Sequence, residues 1–260
     1  MKIERIRGGA REDTDDEVAI EAPLEIRVGG KALTVVMRTP GHDEELARGF
    51  LYAESLVDGA ADIVSIARPA ALTGDEVGNV VDVTLRPGAR VPAGERLFYA
   101  SSSCGVCGKN AISALRVRAP LVSSTLTVAA ATLASLPDRL RPAQPLFART
   151  GGVHASGLFA ADGTLELARE DVGRHNALDK LIGWALAHDR LPLADRLLVV
   201  SGRVSYEIVQ KAVAAGLPLI AAVGAPSTLA IELADEFAVT LVGFVRDGGM
   251  NVYTHGDRVV

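Results

Sequence analysis

The chain has 260 residues, of which 48% are hydrophobic and 23% charged, and its formal net charge is −5. This composition is that of an ordinary globular protein with enough apolar side chains for a sizeable core, organised as one large domain or two smaller ones. The negative charge argues against a general nucleic-acid-binding surface, and no apolar run is long enough to cross a bilayer.

The N-terminal half is predicted to be rich in β-strands. Residues 1–16 are charged and contain a Gly pair, which predicts a flexible tail. They lack the apolar stretch of a signal peptide, so a cytoplasmic, reducing location is expected. Two alternating apolar runs around Gly29-Gly30 predict a β-hairpin. A helix is expected after Pro40-Gly41, and strands are expected over residues 63–67 and 80–85.

The C-terminal half alternates strand and helix patterns. Strands over residues 155–160 and 165–169 precede a helix over residues 174–187, and further strands and helices follow in turn. Near-continuous apolar strands predict a largely parallel sheet with helices on both faces. Three prolines in residues 135–145 predict a linker or a turn between layers. The predicted parts are therefore a tail (1–16), a β-rich part with the C-x-x-C loop and its helix (17–140), and an α/β domain with ligand-binding loops (141–260).

Both cysteines of the chain, Cys104 and Cys107, lie in one C-x-x-C motif within SSSCGVCGK. Two cysteines are too few for a disulfide framework. The motif stands at a predicted loop-to-helix junction, where backbone N–H groups and Lys109 would favour a thiolate. The residues alone leave four interpretations open: a redox pair, a zinc site, two buried structural thiols, or a sulfur carrier. In a sulfur carrier, Cys104 would be the nucleophile and Cys107 an assisting or resolving thiol.

A zinc site would need ligands from elsewhere in the chain. His42-Asp43-Glu44 forms an H-x-E sequence that could complete a deaminase-like set of ligands with the two cysteines. However, Ser103 stands where the deaminase signature has Pro, and two predicted strands separate the two halves. We therefore expect no metal, and interpret His42 as an exposed residue at a helix start.

Polar residues and glycines recur where the strands of the second half end. They are found in EDVGRHNALDK, SGRVSYE and FVRDGG, and such residues suit a large, phosphate-bearing ligand. Each segment also has a structural interpretation, namely helix capping, helical ion pairs or a plain hairpin. His154, which follows two glycines, is interpreted as structural. The candidate ligand-binding residues are Phe244, Val245, Arg246, Asp247, Gly248 and Gly249, followed by Ser201, Arg203, Ser205, Arg174 and His175.

These segments resemble, in order, the motifs of the FdhD family of formate dehydrogenase accessory proteins. The resemblance spans residues 17–255 and is carried most specifically by EDVGRHNALDK with CGVCG upstream. It implies a cytidine deaminase-like α/β/α domain with a smaller β-rich N-terminal subdomain. It also implies a sulfurtransferase that accepts sulfur from a cysteine desulfurase as a persulfide on Cys104.

The resemblance further implies the ligand and the partners. The sulfur would pass to the bis-molybdopterin guanine dinucleotide form of the molybdenum cofactor, contacted by residues 244–249, before the cofactor enters formate dehydrogenase. GDP would be a partial mimic of that ligand. A homodimer is expected, and neither nucleic acid nor a membrane is an expected partner. The alternatives are a molybdenum-cofactor-binding chaperone without covalent sulfur chemistry and a zinc deaminase-like hydrolase.

Overall fold

The chain begins with an antiparallel hairpin of β1 (Lys2–Arg7) and β2 (Ala10–Asp15). The structure, a computed structural model, describes residues 1–89, 98–100 and 119–260, and only the backbone of residues 98–100. The sequence predicts a flexible tail here, but the residues form regular structure. Gly8 and Gly9 both have positive φ, as a two-residue hairpin turn requires, and Arg11 pairs with Glu4 across the strands at 2.6 Å.

A five-stranded sheet forms the core of the N-terminal part. It contains β3 (Ala22–Val28), β4 (Lys31–Arg38), β5 (Ile63–Ala67), β6 (Val80–Leu85) and β7 (Phe98–Ala100), in the order β5-β6-β3-β4-β7, and helix α1 (Asp43–Ala53) follows β4. Leu46 and Leu51 of α1 pack with Leu24 and Ile26 of β3 in one buried cluster. The structure confirms the predicted hairpin (β3 and β4), helix (α1) and two strands (β5 and β6). Each of these elements could be predicted because its sequence has a clear local pattern.

Two helices occupy the region for which a linker is predicted. Helix α2 (Ala130–Leu140) contains Pro137, and a 3-10 turn (Arg141–Ala143) leads into α3 (Pro145–Thr150). The linker prediction is wrong because Leu133, Leu136 and Leu140 share one helix face and are buried against the C-terminal sheet. The boundary between residues 140 and 141 remains a prediction, but α2 packs with the elements that follow that boundary.

The C-terminal sheet has six strands, in the order β13-β12-β11-β10-β8-β9. Its elements are β8 (His154–Phe159), β9 (Leu165–Asp171), α4 (Arg174–Ala187), β10 (Leu197–Val200), α5 (Tyr206–Ala214), β11 (Leu219–Ala222), α6 (Thr228–Glu236), β12 (Thr240–Arg246) and β13 (Gly249–Thr254). Only the β10–β11 and β11–β12 pairings of this sheet are parallel. The sheet is therefore mixed rather than largely parallel, because hairpins join β8 to β9 and β12 to β13.

Helices cover both faces of this sheet, as predicted. Leu198 and Val200 of β10 pack in the cluster that contains α4, α5 and α6. Leu197 and Val199, which point to the opposite face, pack with α2. The mixed α/β architecture is thus confirmed, whereas a specific likeness to cytidine deaminases remains a prediction.

The two parts of the molecule meet where helix α1 crosses helix α4. Gly49 and Gly183 lie at this crossing, and a Cβ atom on either would stand 1.8 Å from a backbone carbonyl oxygen of the other helix. Such a close approach is possible only because both residues lack side chains. The crossing places the N-terminal sheet beside the start of α4, which carries part of the candidate site.

Candidate functional site

One edge of the C-terminal sheet collects the polar segments singled out in the sequence. Strands β10, β11 and β12 all end at this edge because they are parallel. Strand β8 runs antiparallel to β10 and therefore starts there, and β9 ends there. Ligands of open α/β sheets bind at the carboxyl ends of the strands, so this is the edge where a site is expected.

Glycines allow the loops at this edge to lie directly against each other. The Gly224 N–H donates to the Gly202 carbonyl at 3.2 Å, and the Phe244 N–H donates to the Gly224 carbonyl at 3.2 Å. A Cβ on Gly224 would lie 2.8 Å from the Gly202 oxygen. The loops that follow β10 and β11 and the end of β12 are therefore hydrogen-bonded side by side.

A histidine, a serine and a glutamate meet at this edge. His175 Nε2 lies 2.8 Å from Glu207 Oε2 and 3.2 Å from Ser205 Oγ, and the Ser205 hydroxyl donates to Glu207 at 3.2 Å. Burial raises the pKa of Glu207, but the hydrogen bonds from His175 and Ser205 outweigh it and hold that pKa at about 2. Burial lowers the pKa of His175, and Glu207 offsets this only in part. Glu207 is therefore ionised at neutral pH, and its carboxylate lies within hydrogen-bond distance of His175 Nε2.

Cationic groups surround this trio. Arg174 is the first residue of α4, and its Nε is buried without a hydrogen-bond partner among the described residues. Arg203 is exposed, and within the described part of the chain its guanidinium has no ion-pair partner. Burial lowers the pKa of His154, and the charges of Arg174 and Arg203 lower it further. We call His154, Arg174, His175, Arg203, Ser205 and Glu207 the strand-end cluster.

The strand-end cluster can receive an anion. Two guanidinium groups and the N-terminal ends of α4 and α5 are directed to one sheet edge, whereas Glu207 is held by His175 and Ser205. Guanidinium groups and helix starts are the partners that phosphates use most often in proteins. The structure therefore brings together four of the candidate residues, Arg174, His175, Arg203 and Ser205, whose role in ligand binding remains a prediction. It also places at this edge His154, which was interpreted as structural, and Glu207, which was not a candidate.

The serines of this segment have different roles. Ser201 Oγ accepts the Ala155 N–H at 2.9 Å and thereby extends the pairing of β10 with β8. Ser205 is the N-cap residue of α5, but its side chain makes no capping hydrogen bond and contacts the His175–Glu207 pair instead. Helix capping, the structural interpretation of this segment, is thus not what the Ser205 hydroxyl does.

Residues 244–249 form the turn of the β12–β13 hairpin. Arg246 pairs with Gly249, and both central residues, Asp247 and Gly248, have positive φ, as in a type I′ turn. The Arg246 guanidinium lies 5.6 Å from the centre of the Phe244 ring. Val245 is fully buried in the core, side chain and backbone alike, so it is not exposed to a ligand. The structure has the plain hairpin of the structural interpretation, and ligand binding at this turn remains a prediction.

Much of the EDVGRHNALDK segment is buried and internally paired. Lys211 of α5 donates to both carboxylate oxygens of Asp179, at 2.7 and 2.9 Å. Burial raises the pKa of Asp179 to about 6, against the opposing effect of Lys211. Asp171 and Lys180 form a second buried pair at 2.7 Å. Part of the segment's polarity therefore stabilises the contacts of α4, and only Arg174 and His175 belong to the strand-end cluster.

The thiol loop lies outside the described residues. Cys104, Cys107 and the start of the helix predicted after them all fall in the range for which no structure is described. The strand that leads into the loop is described: β7 pairs in parallel with β4, with Ala100 opposite Val36. Thr39, three residues beyond Val36, contacts the end of β9, so β7 points toward the edge that carries the strand-end cluster.

Possible metal ligands were also located. His42 is the left-handed N-cap residue of α1 and is exposed, as predicted, and it lies 3.4 Å from Glu45. In residues 1–89 and 119–260 no group of three or more His, Cys, Asp or Glu side chains could hold a metal ion. Since both cysteines lie outside these ranges, the zinc interpretation is still open.

No helix in the described part of the chain is long and apolar enough to span a membrane.

Comparison with known proteins supplies the family. A model described as the FdhD/NarQ family matches residues 19–260. The chain belongs to this family. The match begins within the segment before β3 and includes every residue of the strand-end cluster, so the FdhD/NarQ assignment applies to the site as well as to the fold.

Curated relatives of the FdhD/NarQ family are similar over nearly their whole length. The Mycolicibacterium paratuberculosis protein named sulfur carrier protein FdhD is 50% identical, with 99% of this chain and 97% of the relative covered. The proteins of the same name from Streptomyces coelicolor and Sulfolobus acidocaldarius are 51% and 43% identical. A crystal structure from Desulfotalea psychrophila, described as a formate dehydrogenase accessory protein, matches with a TM-score of 0.78 and 27% identity, covering 100% of this chain and 98% of that one.

Proposed function

We propose that this protein is a sulfur carrier that loads sulfur on Cys104 as a persulfide and delivers it to the molybdenum cofactor of formate dehydrogenase. Membership of the FdhD/NarQ family and the names of the relatives support the sulfur-carrier role. The accessory-protein description of the similar crystal structure supports formate dehydrogenase as the recipient. The acceptor is the bis-molybdopterin guanine dinucleotide form of the cofactor, which is a substrate here.

Loading is an exchange between a thiolate and a persulfide. The Cys104 thiolate attacks the outer sulfur of a persulfide on a cysteine desulfurase, the donor S–S bond breaks, and the donor cysteine leaves as a thiolate. The new Cys104 S–S bond holds the sulfur, and the exchange has no net change in oxidation state. Delivery breaks that bond and returns Cys104 as a thiolate. The acceptor metal supplies the two electrons that convert the outer sulfur to sulfide.

The observation that carries the proposal is the position of the strand-end cluster relative to β7. Cys104 is four residues beyond Ala100, so the chain limits its Cα to within about 14 Å of the Ala100 Cα. Ala100 pairs with Val36 of β4, and the residues after β4 contact the end of β9 beside Arg174. A thiol within this range can serve a ligand whose phosphates rest on the strand-end cluster.

The guanine dinucleotide ends of the acceptor supply those phosphates. Arg203 and the backbone N–H group of Gly202 lie along the same edge as the turn of residues 244–249, because β10 and β12 are both parallel to β11. Arg246 at that turn provides a further cation. GDP should therefore be a partial mimic of the ligand, with its diphosphate on these groups.

The proposal includes a cysteine desulfurase as donor, formate dehydrogenase as recipient, a cytoplasmic location and a homodimer. It is tested by replacing Cys104 with Ser and measuring the activity of formate dehydrogenase matured with the variant. A sulfur carrier loses this activity, whereas a chaperone that only binds and delivers the cofactor retains it. Because serine is nearly isosteric with cysteine, loss of activity in a folded Cys104→Ser protein supports sulfur chemistry, and full activity contradicts it.

A further inference from the structure

Asp171 and Lys180 form an ion pair that is completely enclosed. Their side chains are 0% and 1% exposed, and Lys180 Nζ lies 2.7 Å from Asp171 Oδ2. Asp171 ends β9, and Lys180 lies on α4. A buried ion pair adds little net stability, because the loss of hydration offsets most of the attraction, and its best-attested use is to fix a geometry.

The pair bonds to the residue that follows strand β4. Thr39 donates its N–H to Asp171 Oδ2 at 3.1 Å, and its carbonyl accepts from Lys180 Nζ at 2.9 Å. The Thr39 hydroxyl accepts the Val172 N–H at 3.0 Å. All three polar groups of Thr39 are thus bonded to the segment that joins β9 to α4.

Asn176 adds a second connection between the same two regions. Its side-chain amide donates to Asp171 Oδ1 at 2.9 Å and to the Met37 carbonyl of β4 at 2.7 Å. Asp171 Oδ1 also accepts the Gly173 N–H at 2.8 Å. Both carboxylate oxygens of Asp171 therefore have two donors each, and such a fully satisfied buried network permits only one relative position of its members.

The two regions joined by this network lead to the two halves of the proposed site. Strand β4 pairs with β7, the last described strand before the thiol loop. On the other side, Arg174 and His175 of the strand-end cluster lie between Asp171 and Asn176 in the chain. The network thus bonds the end of β4, the strand that pairs with β7, directly to the start of α4.

We propose that Asp171 and Lys180 are positioning residues, which hold the end of β4, and through it β7, in a fixed place relative to the strand-end cluster. Their role in the proposed reaction is to let the sulfur-bearing thiol and the bound acceptor meet. The sulfur-transfer part of this inference rests on the proposed function, whereas the positional part does not. Removal of the network is expected to spare loading at Cys104 and nucleotide binding separately and to impair transfer between them.

The positional part is tested by a distance measurement between two nitroxide labels. Both native cysteines are first replaced by Ser. One label is then placed on the cysteine introduced by Pro40→Cys, since Pro40 is exposed and directly follows Thr39, and the other on that introduced by Leu229→Cys, since Leu229 is exposed on α6 and outside the network. Pulsed electron resonance is recorded for the labelled parent and for the double substitution Asp171→Asn with Lys180→Met. The double substitution removes both charges together, whereas Asp171→Asn alone would leave a buried lysine unpaired.

The parent should give one narrow distance distribution, and the double variant should lose it in favour of a broad or shifted one. Thr39→Val, which removes only the bond to Val172, should broaden the distribution less than the double substitution does. Thr39→Ser, which keeps the hydroxyl, should give the same distribution as the parent. Circular dichroism confirms that each variant is folded. Identical distributions in the parent and the double variant, or a parent as broad as the variant, would overturn the proposal without bearing on sulfur chemistry. If the distances change but sulfur release to the purified molybdenum cofactor does not, the functional half of the proposal is wrong.

Discussion

The crossing of α1 and α4 at Gly49 and Gly183 allows a quantitative test of the fold. A Cβ added at Gly49 would lie 1.8 Å from the Asp179 carbonyl oxygen, and one added at Gly183 would lie 1.8 Å from the Glu45 oxygen. Carbon and oxygen atoms in close contact stand about 3.3 Å apart, so each alanine would force the helices apart by about 1.5 Å. The obstacle is backbone, and no side-chain rotation relieves it.

Either substitution is expected to lower the free energy of unfolding by more than the higher helix propensity of alanine raises it. Overpacking of a close-packed region costs about 1–3 kcal/mol and sometimes more, and a gap opened along the helices loses contacts as well. Alanine is favoured over glycine within a helix by about 1 kcal/mol. We expect Gly49→Ala and Gly183→Ala each to lower the free energy of unfolding by about 3 kcal/mol, at the upper end of the overpacking range.

Urea denaturation followed by circular dichroism and by fluorescence of Trp184, the only tryptophan of the chain, measures this cost. Gly59→Ala is the control, since Gly59 has extended backbone and a Cβ there would meet nothing within 4 Å. The control should stay within about 0.5 kcal/mol of the parent. The double variant should cost less than the sum of its singles, because helices already separated have room for the second methyl group. Single variants as stable as the parent would refute the crossing.

Three further predictions concern the site. Glu207→Gln should lower the free energy of unfolding by about 3 kcal/mol at pH 7, because the folded-state pKa of Glu207 is about 2 and its unfolded value is about 4.5. The ionised carboxylate therefore contributes stability above about pH 4.5, and this contribution is lost as the pH falls toward 2. The difference between parent and variant, measured by urea titration, should shrink over that range, and the exposed Glu232→Gln is the control. GDP should bind better than GMP in calorimetric titrations, because the phosphate that GMP lacks would make charge-assisted hydrogen bonds of about 1.5–3 kcal/mol each. Arg203→Ala and Arg246→Ala should weaken GDP binding. Equal affinities for the two nucleotides would contradict the phosphate site. Metal analysis of the purified protein should find no stoichiometric zinc, and about one tightly bound zinc per chain would revive the deaminase-like alternative.

Local patterns predicted most of the elements. The hairpin at Gly29-Gly30 and helix α4 follow from short-range signals, namely turn glycines and apolar periodicity. Helix α2 was missed because Pro137 signals a break, whereas burial of three leucines on one face decides the outcome. The mixed sheet was missed because strand direction depends on which strands pair, and the apolar composition of a strand does not determine its partner.

The sequence pointed to residues with an obvious chemical role but not to their partners, and ligand binding by these residues remains a prediction. Arg174, His175 and Arg203 stand out at strand ends, and they do converge at one edge. Glu207 was not among the candidate residues, although it lies 2.8 Å from His175, which is 32 residues earlier in the chain. The bonds of Thr39 to Asp171 join residues 132 positions apart, and only the three-dimensional structure brings them together.

The central claim, a persulfide on Cys104, is tested most directly by mass spectrometry. The purified protein is incubated with a cysteine desulfurase and cysteine, digested without reductant, and analysed beside Cys104→Ala and Cys107→Ala. The peptide that contains Cys104 should gain the mass of one sulfur atom in the parent and in Cys107→Ala, because exchange needs a single thiolate nucleophile. Cys104→Ala should gain none. Labelling of Cys104→Ala to the same extent as the parent would contradict the assignment.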